Sequence, residues 1–289
     1  MYKQKKYRYA NIIDVVEYHS AKYGAPGEKR KKKEKPTPAA VRKQNQRRRE
    51  ENTERMIHAN FTEGDLVRTL TFAKDKRPAD MKEAQKIFRN FYNRLRKQYR
   101  KEGFELCWMA NIECTERNAW HIHMICNRIK GASELIKDLW FEMGGVHDQI
   151  LKDLIRSGKK LGAYITKTPE STAPGEHRVT EAKFSHSRNL EIPEAEEKVI
   201  SGWKMTDKPR PPKGFYLIKE SYFEGVNEEG YRYRRYKFAG PPRPPKEWRL
   251  QCTHTSTSHC RAKRRKFRTG RSATLSQQRK ENTAKRTTR

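Results

Sequence analysis

Two histidines flanking one apolar residue, His121-Ile122-His123, lie within Trp120-His121-Ile122-His123-Met124. Side chains alternate across a β-strand, so both imidazoles project from one face while Ile122 turns into a core. Two neutral imidazoles can hold a divalent cation. Upstream, Glu113 offers a third ligand, leaving positions open for water or substrate oxygens. Mg²⁺ favours oxygen ligands, so the histidines tilt the choice toward Mn²⁺, while cellular availability works the other way. Further along are Tyr164 and Lys167, in Leu161-Gly162-Ala163-Tyr164-Ile165-Thr166-Lys167. On a helix these two share a face. A phenol titrates near ~10, so it attacks at neutral pH only with help. A metal must polarise the phosphate under attack, and a nearby cation must favour the phenolate. Lys167 and Lys160 are candidates for that cation, or for neutralising the phosphate.

The elements that would carry these groups follow from hydrophobic periodicity. Leu66-Val67-Arg68-Thr69-Leu70-Thr71-Phe72 is a strand by its β-branched and aromatic content. Met81, Ala84, Ile87, Phe88, Phe91 and Leu95 form the apolar stripe of a long helix. Leu106 to Glu113 and Trp120 to Cys126 are predicted strands, and pairing them as a hairpin around Arg117 sets Glu113 opposite His121 and Asn111 opposite His123. The reverse face then carries Trp108, Ala110, Ile112, Ile122 and Met124, which is what a sheet needs when helices cover one side and a site occupies the other. A second helix is expected around Leu135–Trp140, a strand near Val146–Leu151, a third helix carrying Tyr164, and an edge strand at Lys183–Ser187. The expected class is α+β, a central antiparallel sheet with helices packed on one face plus basic extensions.

The chain has 289 residues and a formal charge of +31, which says little about fold and much about partners: polyanions, above all nucleic acid. With 34% hydrophobic and 35% charged residues, only part of the length can build a core. Residues 1–60 read as a basic segment with a helix over roughly 38–58, residues 61–200 as the enzymatic domain, 201–250 as a linker and hairpin, and 251–289 as a basic disordered tail. No apolar run spans a bilayer and no hydrophobic segment follows the basic N-terminus, so a cytoplasmic setting without membrane contact is expected. Cys107, Cys114 and Cys126 lie in or beside strands and read as buried reduced thiols. Cys252, His254, His259 and Cys260 do not match a zinc-finger spacing. Tyr231-Arg232-Tyr233-Arg234-Arg235-Tyr236 suits either a single-stranded DNA surface or a strand with packed tyrosines and solvated arginines.

The order of these motifs, Thr69-Leu70-Thr71-Phe72, then Glu113, then His121-Ile122-His123, then Tyr164-x-x-Lys167, resembles the HUH endonucleases. In particular it is similar to the rolling-circle replication initiators (Rep proteins) of bacterial plasmids and small single-stranded phages. The resemblance covers roughly residues 60–190. Ser187-Arg188-Asn189-Leu190 and the basic Thr-Pro-containing N-terminal segment resemble one bacterial branch of that family. It implies a ferredoxin-like or RRM-like sheet, His121, His123 and Glu113 as ligands of Mn²⁺ or Mg²⁺, and Tyr164 as the nucleophile. Lys167 would orient or neutralise the scissile phosphate. Lys160 and Thr168 occupy the positions one turn from Tyr164, which implies the single-tyrosine type.

The implied partners are single-stranded DNA at a replication origin and, because the chain has no phosphate-binding Gly-Lys-Ser/Thr loop, a host helicase and polymerase. A single-tyrosine transposase of the same superfamily and a non-enzymatic basic DNA-binding protein are the competing readings. Charge alone suits the last equally well, but it does not account for the register of Glu113 with His121 and His123.

Overall fold

The computed structural model describes residues 1–19, 35, 37–169, 178–201, 205, 208–226, 231–241 and 248. Along them the chain forms β1 (Tyr2–Tyr9), β2 (Ile12–Tyr18), α1 (Pro38–Asn60), β3 (Leu66–Thr71) and α2 (Met81–Lys101). Then come β4 (Trp108–Thr115), β5 (Trp120–Cys126), α3 (Ala132–Trp140), β6 (Val146–Ile150) and α4 (Leu154–Ile165). The last are β7 (Val179–His186), β8 (Ala195–Ile200), β9 (Tyr216–Val226) and β10 (Arg232–Ala239). All pairings are antiparallel and make two sheets: a central one ordered β6-β3-β5-β4-β7, and a second ordered β8-β1-β2-β10-β9. The class is α+β, as the sequence predicts. No helix among the described residues is long and apolar enough to cross a membrane.

The β4–β5 hairpin pairs Glu113 with His121 and Asn111 with His123. Its reverse face packs Trp108, Ala110, Ile112, Ile122 and Met124 against Phe88, Phe91 and Leu95 of α2 and Ile136 and Trp140 of α3. Aromatic edges lock this layer: Phe72 and Phe91 both meet Trp140 at near-perpendicular angles, and Phe88 meets Trp108 likewise. α2 starts where Asp80 accepts from the Glu83 N–H while the Glu83 carboxylate reaches back to the Ala79 N–H, so orphan donors are satisfied reciprocally.

Helices cover both faces of the central sheet, which corrects the one-face expectation. Val67, Met109 and Ile125 point to the same side as the histidines, and Ile57 and Phe61 of α1 pack there with Leu154 and Ile165 of α4. Strand alternation therefore serves two purposes on that face. One end is core, and the other end is left for polar groups.

The N-terminal residues are more than a basic extension. β1 and β2 form a hairpin, and β2 pairs with β10 some two hundred residues later, for example Asp14 with Lys237. This second sheet rests on α1 through buried ion pairs. Asp14 lies between Arg55 at 2.8 Å and Arg235 at 2.9 Å, Arg235 also pairs with Glu51, and Lys237 pairs with Glu54. The guanidinium of Arg55 stacks 3.8 Å above the Tyr7 ring. Those cations hold the Asp14 carboxyl below its usual range against the opposing push of burial. Tyr231 and Tyr236 are packed and Arg232 is exposed, as the strand reading expects, but Arg234 departs from it by being buried against Glu17. Residues 53–58 of α1 are buried all round because the helix is sandwiched: apolar toward the central sheet, charged toward the second. The turn at 227–230, the lysine run at 29–33, the Cys252–Cys260 segment and the tail lie outside the described residues.

α4 sits on α1 at two glycines. A Cβ on Gly162 would lie 2.9 Å from the Glu50 carbonyl oxygen, and one on Gly158 would collide with His58 Nε2. Gly162→Ala should therefore lower unfolding stability by about 1–3 kcal/mol in chemical denaturation, since the obstacle is backbone. His58, buried under Lys237, has its pKa pushed from 6.5 to about 3, first by desolvation and then by that lysine's charge. A folded-state pKa below the unfolded one means that the unfolded chain binds the extra proton, so stability is lost as pH falls from 6.5 toward 3. His58→Gln should remove roughly 1.4 kcal/mol per pH unit from the slope of stability against pH in that window.

Candidate functional site

β3, β5 and β4 present their polar ends side by side. Thr69 pairs with His123 across β3–β5, and His123 pairs with Asn111 across β5–β4; the next row holds Thr71, His121 and Glu113. α4 crosses above and places Tyr164, in its last turn, over His123, with ring centroids 4.5 Å apart. The Tyr164 hydroxyl makes a short hydrogen bond with His123 Nδ1, and Thr69 Oγ1 lies 3.2 Å from the same nitrogen and 3.4 Å from the phenol oxygen. On the other side of the ring, Nε2 is 3.4 Å from Glu113 Oε2. One imidazole thus connects a phenol to a carboxylate.

Glu113 is held in turn by Asn111, whose Nδ2 donates to Glu113 Oε1 at 2.7 Å and to the Lys167 carbonyl at 3.0 Å. Asn111 Oδ1 is buried with no hydrogen-bond partner among the described residues. His121 is tilted 30° to His123 with centroids 6.2 Å apart, and desolvation, followed by the neighbouring His123, lowers its pKa, keeping it neutral at pH 7. Among the described residues no group of three or more His, Cys, Asp or Glu side chains is placed to hold a metal ion.

Lys167 is not on the helix with Tyr164. α4 ends at Ile165, Thr166 caps it by donating its hydroxyl to the Gly162 carbonyl, and Lys167 follows in the loop. The helical-face argument fails because Thr166 leaves the helical region, with φ −115° and ψ 19°. Gln46 of α1 donates to the Thr166 carbonyl at 3.0 Å, so the end of α4 is tied to α1 as well as to β4. Lys160 is exposed one turn before Tyr164.

Thr69 and Asn111 are partners that residue types alone do not single out as functional. Their signal is positional: Asn111 shares the row of His123 through the β4–β5 hairpin, and Thr69 joins it once β3 is paired with β5. The phenol of Tyr164, 39% exposed, is raised above its ordinary pKa chiefly by desolvation, while the Thr69 hydrogen bond opposes the rise. Thr69→Val should push it further up. A titration of tyrosine ring carbons by NMR, with Tyr164→Phe identifying the resonance, checks both the sign and the partner.

Residues 65–169 match a family model, that of replication-associated proteins of the ORF2 type. No curated protein and no solved structure gives a significant match. The matched segment runs from the start of β3 to just past α4 and includes Thr69, Asn111, Glu113, His121, His123, Tyr164 and Lys167. In that segment, which holds every residue of the site, the chain is similar to replication-associated proteins.

Proposed function

We propose that the chain initiates rolling-circle replication as an HUH-type, single-tyrosine DNA nicking and joining enzyme. The observation that carries this reading is the Tyr164–His123–Glu113 arrangement on an open sheet end, inside the segment similar to replication-associated proteins. Charge alone would suit any nucleic-acid binder. It does not call for a phenol bonded to a half-buried imidazole.

The donor types suit a divalent cation, Mn²⁺ or Mg²⁺. His123 Nε2 and Glu113 Oε2 are 3.4 Å apart, and His121 stands on the same face of the sheet, so these three residues would hold it. Asn111 Oδ1, buried and without a partner among the described residues, adds an oxygen beside them. Such a cation, when bound, supplies Lewis acidity at the non-bridging oxygens of the scissile phosphate.

The protein's own groups do the rest. With Nε2 of His123 engaged, the proton of the neutral imidazole resides on Nδ1, so His123 donates to the Tyr164 oxygen. Together with the Thr69 hydroxyl this stabilises the phenolate left when the phenol proton passes to solvent. The phenolate attacks phosphorus in line and the bond to the 3′-oxygen of the preceding nucleotide breaks. That oxygen takes a proton from water, leaving a 3′-hydroxyl and a 5′-phosphotyrosine link. Lys167 and Lys160 neutralise the phosphate, and attack by a 3′-hydroxyl reverses the step, so joining needs no nucleotide cofactor. The substrate is origin DNA in single-stranded form, with unwinding and synthesis supplied by a host helicase and polymerase in the bacterial cytoplasm.

The test is a 3′-labelled single-stranded oligonucleotide bearing the element's own origin, incubated with Mn²⁺ and run on a denaturing gel. A covalent adduct is expected. Tyr164→Phe should abolish it while binding changes less than about twofold, as only one hydroxyl is lost. Chelation of the cation, or Ala at both His121 and His123, should abolish cleavage. An adduct that persists in Tyr164→Phe removes the tyrosine from its role, and cleavage unaffected by chelation removes the cation.

A further inference from the structure

The central sheet has a second polar feature, on the face turned away from Tyr164. Between α2 and the edge strand β7 runs a groove of about 570 Å³. Lys183 and Ser185 enter it from β7, because they pair with Ile112 and Ala110, whose side chains belong to the reverse face. We propose that this groove binds a single-stranded nucleic-acid segment, separately from the site at Tyr164.

Charge is the first argument. Arg89, Arg96 and Arg100 line one wall and are exposed on α2. Eleven residues of helix set them along about 16 Å. Lys183 and Arg188 face them. Against these five cations the lining offers one carboxylate, Glu105, which already lies 3.5 Å from Arg100. Among the described residues Arg89, Lys183 and Arg188 make no ion pair, and the partner of Arg96 is the neutral Asn93. A protein that gathers unpaired cations along a concave wall concentrates its field on a polyanion.

Aromatic content is the second argument, and it selects the polyanion. Tyr92, half-buried, packs beside Trp108 with centroids 4.8 Å apart, at the base of the arginine wall. Exposed bases stack on such rings while cations follow the backbone. An acidic peptide would use the arginines and leave the rings idle. β4 serves both faces: Ile112 lines the groove, and its neighbours Asn111 and Glu113 face the site. A strand leaving the site reaches the groove by rounding the outer edge of β7, which has no partner strand among the described residues.

The experiment uses the full chain in chelator, so that no cleavage intervenes, and a fluorescent oligothymidylate of roughly 30 nucleotides, long enough for both surfaces. Arg89→Glu with Arg96→Glu should weaken binding at least about tenfold. It should also flatten the slope of log K against log salt by about 1.4 or more. Lys86→Glu with Lys97→Glu makes the same charge change on α2 outside the groove and should cost much less. Photocrosslinking with 5-iodouracil should label the peptide containing Tyr92, and Tyr92→Leu should remove that label. Equal losses in the two double variants, or crosslinks confined to peptides of the Tyr164 face, overturn the proposal. So does competition by polyglutamate as effective as that by the oligonucleotide, which makes the groove an acidic-protein site. A change in sedimentation with DNA binding intact overturns it too, assigning the groove to a second copy. Adduct formation on a short oligonucleotide that spans only the nick reports on Tyr164 alone, so the two readings fail separately.

Discussion

The position of α4 on α1 is the constraint on which the rest depends. Tyr164 lies over His123, and the end of its helix is held there both by β4 and by α1. At Gly162 the helices approach until backbone meets backbone, Gly158 makes room for the His58 ring, and the apolar side of α1 packs on Val67, Met109 and Ile125. The opposite side of α1 is clamped by the charges of the second sheet. A sheet far from the chemistry thereby sets the place of the phenol.

That clamp is made of ion pairs rather than hydrocarbon. Buried pairs contribute little net stability against a well-packed apolar alternative, yet breaking one is costly because it strands a charge. Asp14, Arg55, Arg235, Glu51, Glu54 and Lys237 form one connected set, so α1 has one arrangement against β2 and β10 in which every charge is met. The interface specifies orientation more than it adds affinity. Among the described residues other cations, Arg89 of α2 and Lys183 of β7, make no ion pair, and the contrast separates structural charge from charge available to a partner.

How much of this is legible in the sequence depends on the range of the interactions. The β4–β5 register is local, and its two faces carry opposite chemistry, so Glu113, His121 and His123 fall together on paper. α2, α3, α4 and the β9–β10 hairpin follow from their own periodicities. β1 reads Tyr2-Lys3-Gln4-Lys5-Lys6-Tyr7-Arg8-Tyr9, which looks solvated, and it becomes a strand only through partners remote in the chain. The charged stretch of α1 around Glu54-Arg55 likewise gives no sign of burial until Asp14 and Lys237 are placed against it. Three-residue spacing puts Lys167 on the helix with Tyr164 because spacing is blind to the cap at Thr166. Thr69 acquires meaning only when the β3–β5 pairing is added, and Asn111, already opposite His123 on paper, only when its bonds to Glu113 and the Lys167 carbonyl are placed.

The end of α4 has a further consequence. Helix ends ordinarily fray, but here the last carbonyls are held from two directions, by Gln46 of α1 and Asn111 of β4, with Thr166 closing the turn. A hydroxyl mounted on so restrained a turn has little room to travel. In the reaction proposed above, the compliance would come from the other reactant, whose backbone would bend until a phosphorus atom meets a fixed oxygen. A lone strand has that freedom, and a duplex, stiff over many base pairs, does not. Under that proposal the stiffness of one helix terminus acts as a filter on the form in which DNA can react.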